Sequence, residues 1–126
     1  MHLDKVNNIL ALSCEDRYGY FIRKVTDFEE VWLIKDGEQY ATFGDEKEQI
    51  TIPVFPEEYF AELLLTDSWN SFSAEKISLD YFMNWLDKLQ VEKIQIAGFP
   101  RPDFSSVVVA PIEMKNHLLI ELDQYE

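Results

Sequence analysis

Only two histidines, His2 and His117, and one cysteine, Cys14, occur among the 126 residues, so nucleophilic or metal chemistry would have few parts to work with. Neither histidine has a Cys, His, Asp or Glu at a familiar metal-ligand spacing, and His2 lies at a terminus expected to fray. His117, between Asn116 and Leu118, is expected at the solvent edge of a last helix. Cys14 lies just before a helix, where a thiol pKa can fall, but Glu15 and Asp16 follow it and oppose a thiolate; it reads as a small buried residue between helices. Carboxylate pairs are plentiful, at Glu29-Glu30, Asp45-Glu46 and Glu57-Glu58. General acid–base catalysis needs two carboxyls in unlike environments, one of them partly buried, whereas these pairs flank turns or open a helix, where solvated charge is ordinary. With only four glycines (Gly19, Gly37, Gly44, Gly98) there is no phosphate loop, no Walker-type lysine and no nucleophile elbow. The expectation is a non-enzymatic protein without catalytic residues, cofactor or metal.

What the sequence does concentrate is negative charge. Lys and Arg total 11 and Asp and Glu 24, a net charge of −13. Between Asp27 and Glu62 there are eleven acids against Lys35 and Lys47, a local balance of −9. Nucleic acids and anionic membranes are bound chiefly through Lys and Arg, so both are poor partners. A cationic protein is a good one, because complementary fields raise encounter rates; the competing reading is that the charge serves solubility alone. The residues expected to meet a partner are Asp27, Glu29, Glu30, Asp45, Glu46, Glu48, Glu57 and Glu58, with Glu121, Asp123 and Glu126 of the last helix as a possible extension. Asp80 and Glu113, in first turns of helices outside the window, are expected to matter less. Trp69 and Phe72, in a connecting segment, could add an apolar anchor.

The elements that would position these residues follow from periodicity. Leu3, Val6, Ile9 and Leu10 suggest a short helix, and Tyr18, Phe21, Ile22 and Val25 a second from about Glu15 to Asp27. Glu30 to Lys35, Gln39 to Phe43 and Gln49 to Val54 read as an antiparallel meander, with Asp36-Gly37 as a hairpin turn. Ile50, Ile52 and Val54 would share a face, and Pro53 and Pro56 would stop the third strand. A helix over 57–65 follows, then a connection from Asp67 to Lys76, then a helix over 79–90 capped by Ser78 with Leu79, Phe82, Met83, Leu86 and Leu89 inward. Lys93 to Phe99 reads as a half-buried strand and Ser105 to Val109 as another; Pro111 opens a last helix on which Met114, Leu118, Leu122 and Tyr125 align. One α+β domain follows, with a mainly antiparallel sheet of about five strands packed by helices. One cysteine excludes an internal disulfide, and no apolar stretch approaches the ~20 residues that span a bilayer. With no signal-peptide pattern at the N-terminus, a cytoplasmic location is expected.

Several runs, in this order, form a further pattern: Glu29 to Trp32, Pro53 to Pro56 followed by Tyr59 and Ala61, Trp69, Ile77 to Phe82, Trp85-Leu86, and the Phe99-Pro100 turn. From about Arg17 onward the chain resembles the small bacterial family known as domain of unknown function 2750, with Phe55 where a tryptophan is expected. The resemblance implies a fold and a bacterial origin, and no activity. Small acidic bacterial domains of this kind often look like immunity proteins that neutralise a toxin, and nuclease toxins are basic. Three functions therefore compete: an immunity or antitoxin-like binder, a regulatory domain for another cytosolic protein, and an enzyme or ligand binder with a pocket near Trp69, Trp85 and Phe99.

Overall fold

The computed structural model describes residues 3–44, 49–66 and 69–124. His2, Asp45, Glu46, Glu48, Asp67, Tyr125 and Glu126 lie outside the described residues.

The chain opens with α1 (Leu3–Leu10) and α2 (Cys14–Phe28). Ser13 caps α2, its hydroxyl accepting the Asp16 amide at 3.1 Å, which satisfies one of the orphan donors of the first turn. Phe21, Ile22 and Val25 point inward. Cys14 is half-buried at the start of the helix rather than enclosed between helices. Glu29 ends α2 in the left-handed region at φ 57°, a turn that redirects the chain into β1 (Glu30–Asp36). Gly37 and Glu38 form the two-residue loop back to β2 (Gln39–Tyr40), because Asp36 still pairs with Gln39. Gly37 sits at φ 63° in the first loop position, which glycine accepts without steric cost.

The expected α+β class holds, but the meander does not. The segment after Gly37 divides: β2 pairs with β1, while β3 (Phe43–Gly44) pairs with β4 (Ile50–Val54). Two small sheets result, of order β2-β1-β5 and β3-β4-β6-β7, where β5 is Ser73–Ser78, β6 Gln95–Gly98 and β7 Val107–Val109. The sheets meet where Trp32 and Phe55 each donate a backbone N–H to the other's carbonyl at 3.0 Å. All pairings are antiparallel except β4 with β6. That central parallel pair is buried on both faces: Thr51 to Phe55 and Ile96 to Phe99 are all buried, while Ile50 at the end of β4 is 45% exposed. Hence β6 is not half-buried, and Pro53 lies within β4 instead of stopping it. The Val54 carbonyl faces β6, accepting from Phe99 N, whereas Phe55 N faces β1. By the two-residue alternation Pro53 turns its nitrogen away from β6, past the end of β3, and no ladder bond is lost.

β5 occupies the end of the segment expected as a connection. Its half-buried residues, Ala74 and Ile77, are three apart, so no alternation marks it, yet it pairs with β1 over six residues from Glu30↔Ser78 to Lys35↔Ser73. α3 (Glu58–Glu62) is shorter than expected, giving way to tighter turns in which Leu64 and Leu65 donate to Ala61 and Glu62. Phe60 and Leu64 are buried, while Tyr59 is 40% exposed. α4 (Leu79–Val91) is capped by Ser78 as expected and buries Leu79, Phe82, Leu86 and Leu89. α5 (Pro111–Asp123) buries Met114 and Leu118. No described helix is long and apolar enough to cross a membrane.

Leu86 sits at the centre of the core, 1% exposed. Leu86→Ala should cost about 2–5 kcal/mol through lost burial and a residual cavity; urea unfolding with an unchanged slope would register it, and a loss under about 0.5 kcal/mol would contradict the placement.

Candidate protein-docking site

Of the acidic window, Asp45, Glu46 and Glu48 lie outside the described residues, and the others have different local surroundings. Glu30 pairs with Lys76 on β5 at 3.6 Å. Glu57 accepts the Tyr20 hydroxyl at 2.5 Å, about two helical turns back along α2 from Asp27. Glu58 is exposed in the first turn of α3, where the helix dipole favours it. Asp27 and Glu29 stand apart from these, exposed at the C-terminal end of α2.

There three elements converge. Leu79 N, at the start of α4, donates to the Glu29 carbonyl at 2.9 Å, and Leu122 reaches the same place from the last turn of α5. Two adjoining hollows open here. One, of ≈ 230 Å³, is lined by Thr26, Asp27, Glu29 and Leu122; the other, of ≈ 190 Å³, by Glu29, Ser78, Leu79, Asp80 and Leu122. Asp80, expected to matter less because it lies outside the window, is thus a neighbour of Glu29. Its carboxylate complements the positive pole of α4, but Asp27 at the end of α2 and Asp123 at the end of α5 oppose the negative poles of theirs. Neither helix has a basic residue in its last turn, and among the described residues Asp27, Glu29 and Asp80 form no ion pair. Nor do three potential metal donors cluster anywhere among the described residues. The site can therefore offer an apolar floor with an anionic rim.

The opposite end of α2 is built differently. Arg17 is fully buried and donates to the carbonyls of Leu12 (2.8 Å), Phe99 (3.3 Å) and Ser105 (2.8 Å), with Cys14 Sγ at 3.5 Å. Arg101 adds bonds to the Leu10 carbonyl and to Ser105 Oγ. The Arg17, Phe21 and Val25 spacing already puts this arginine on the buried face of α2, a periodic signal that its residue type disguises. Asp103 accepts from both the amide and hydroxyl of Ser105, and these bonds hold its carboxyl below the usual range. Tyr18 meets His117, with hydroxyl and Nδ1 2.7 Å apart; burial, then the Glu113 charge, pushes its phenol above the ordinary value. His117 is exposed, as expected. Burial and the Glu57 hydrogen bond likewise raise Tyr20.

Among the described residues the aromatic side chains make separate ring contacts. Trp69 is half-buried and meets the ring of Phe104 edge-on at 5.6 Å. Trp85 packs on Tyr40 at 4.7 Å, and Phe99 is fully buried beside Phe60 and Tyr20. Phe72, also half-buried, donates its amide to the Trp69 carbonyl. Neither acidic hollow is lined by any of them.

Residues 18–118 match the family described as Protein of unknown function (DUF2750). No curated protein and no solved structure shows significant similarity to the chain.

Two outcomes follow from the buried cation and its loop. Arg17→Met should destabilise by at least about 2 kcal/mol, since buried carbonyls lose their donors, and Arg17→Lys should recover only part, because an ammonium cannot span the same three acceptors. Urea unfolding measures both. The depressed Asp103 pKa contributes stability that is present above the unfolded carboxylate value, near 4, and is lost as pH falls through the lower folded value. An NMR titration should find Asp103 protonating below that reference, with Asp103→Asn or Ser105→Ala removing the effect.

Proposed function

We propose that this chain, which belongs to the DUF2750 family, is a non-enzymatic protein-binding domain whose partner presents a cationic surface. The observation that carries the reading is the corner where α2, α4 and α5 converge. Asp27, Glu29 and Asp80 surround Leu79 and Leu122 there, and no basic side chain stands in the last turn of α2 or α5. Carboxylates at helix C-termini cost roughly 0.3–1 kcal/mol each at low ionic strength, and a partner's Lys or Arg side chains reverse the sign of that term. Long aliphatic stems suit the apolar floor, leaving the charged heads on the rim. A net charge of −13 adds long-range attraction that speeds encounter. A cytoplasmic location belongs to this proposal. So does toxin neutralisation, for which charge is the support: a nuclease toxin is basic because it must hold nucleic acid.

The test is to isolate the native partner by affinity capture and to measure its association rate against salt. Attraction of this kind weakens as the Debye length shrinks from ~10 Å at 0.1 M to ~3 Å at 1 M. The combined variant Asp27→Lys, Glu29→Lys, Asp80→Lys should slow association by at least about tenfold at low salt and flatten the salt dependence, with its circular dichroism unchanged. An acidic partner, or a rate indifferent to both salt and the triple variant, would sink the reading.

A further inference from the structure

α4 and α5 run antiparallel in a fixed register. Ile112 N donates to Gln90 Oε1 at 3.0 Å, Lys115 Nζ lies 2.9 and 2.8 Å from the two carboxylate oxygens of Asp87, and Leu122 shares a hollow with Leu79 and Asp80. Each step forward along α5 is thus matched by an equal step back along α4, and the register sets Leu119 across from Met83. At 3.6 residues per turn, Asp80, Met83, Asp87 and Val91 lie along one flank of α4, and Ile112, Lys115, Leu119 and Asp123 along the facing flank of α5.

The strip exposed along this seam starts apolar at Ile112 and Val91, crosses the Lys115–Asp87 ion pair, is apolar again at Leu119 and Met83, and ends acidic at Asp80 and Asp123. Ile112 is 43% exposed, Leu119 48% and Val91 82%, while Met83 and Leu122 are half-buried beneath them. Asp80 and Asp123 are exposed at one end, where Glu29 stands as the seam opens into the acidic hollow, and Asp87 is exposed within the strip. The basic residue on these flanks, Lys115, is neutralised by Asp87. With Met114 and Leu118 buried on its other side, α5 carries apolar residues on both its inward and its seam-facing surfaces, a distribution that leaves a stripe open to solvent unless something covers it.

We infer that the α4–α5 seam is a docking groove for a basic amphipathic helix of a partner protein. The inference rests on the proposed cationic partner and narrows it to one kind of element. Each seam helix has 13 residues, so the strip is about 20 Å long, three to four turns of a partner helix. An apolar stripe on that helix covers Ile112, Leu119 and Met83, as helices seat in grooves through residues at i, i+3, i+4 and i+7. Lys or Arg beside the stripe reach Asp80, Asp123 and Glu29. A second copy of the chain is disfavoured as occupant, because each copy carries a net charge of −13 and the two repel.

Three synthetic peptides of about eighteen residues, long enough to hold a helix when docked, test this. One carries Leu at i, i+3, i+4 and i+7 flanked by Lys; the second scrambles that composition; the third has Glu for every Lys. Calorimetry and NMR shift mapping should show the first binding along α4 and α5, and the scramble at least about tenfold more weakly. The pair Ile112→Ser, Leu119→Asp should weaken the first peptide at least about tenfold. Ile120→Ser, at a position 61% exposed and about 100° round α5 from Leu119, should weaken it far less and serves as the folding and surface control. Equal binding of the first two peptides overturns the groove while leaving the cationic reading intact. A glutamate peptide that binds as well as its lysine twin overturns both. Shifts away from the seam, no binding of the first peptide, or a dimer in sedimentation that Leu119→Asp dissolves would each overturn the groove.

Discussion

A desolvated guanidinium organises this fold. Arg17 is fully buried and none of its hydrogen-bond acceptors is a carboxylate. Removing such a charge from water costs several kcal/mol even after relaxation, so the arrangement persists only because its donors are well met. The carbonyls they meet belong to the α1–α2 junction and to the turn from Phe99 to Ser105, segments more than eighty residues apart. Arg101 ties the same turn to Leu10. Held from both sides, that turn keeps Phe99 and Phe104 in the left-handed region, at φ 65° and 68°, conformations that cost a bulky residue roughly 1–3 kcal/mol and survive where the surroundings over-determine them.

The constraint passes along α2 to the acidic corner. Next to Arg17, Tyr18 lies against Gly98, where an added Cβ would come within 2.5 Å of the ring, and against His117. Two successive residues of α2 thus fix the β6–β7 turn and α5. At the far end of the helix, Glu29 turns left-handed and its carbonyl takes the first amide of α4. The helices that frame the hollow and the seam are therefore positioned by main-chain contacts and buried side chains. The Asp27 and Glu29 carboxylates at the rim carry none of that work, which leaves them free to vary in role without loosening the fold.

How far the sequence revealed this depended on whether the signal was local. The helices were legible because stripe and cap lie within a few turns of each other: Ser13 before α2, Ser78 before α4, Pro111 opening α5. Most strands were legible, and so was the β1–β2 hairpin, but β5 and the long-range pairings were not. The β4–β6 partnership joins segments over forty residues apart, and β5 shows no alternation because α3 and α4 crowd it unevenly. The acidic window was a property of the linear chain. Among the described residues its members have different surroundings, a salt bridge at Glu30, a tyrosine bond at Glu57 and the corner at Asp27 and Glu29, which Asp80 joins from outside the window. No periodicity argument could have paired Asp80 with Glu29, since the Leu79 to Glu29 bond depends on where β5 returns the chain.

The distribution of the cations explains why the corner stays acidic. Arg17 and Arg101 are spent on backbone carbonyls. Lys76 and Lys115 pair with Glu30 and Asp87, while Lys24 and Lys35 lie over aromatic rings. Most of these positions brace sheet, loop or mid-helix, while Lys24 lies over the Phe28 ring in the last turn of α2. A chain tuned only for stability would place Lys or Arg at the ends of α2 and α5, where each contributes a few tenths of a kcal/mol or more. Here α2 ends on Asp27 and Glu29, and α5 on Glu121 and Asp123. That cost falls where three helices leave an apolar floor open to solvent, so the same few residues oppose their own helices and offer a partner its counter-charge.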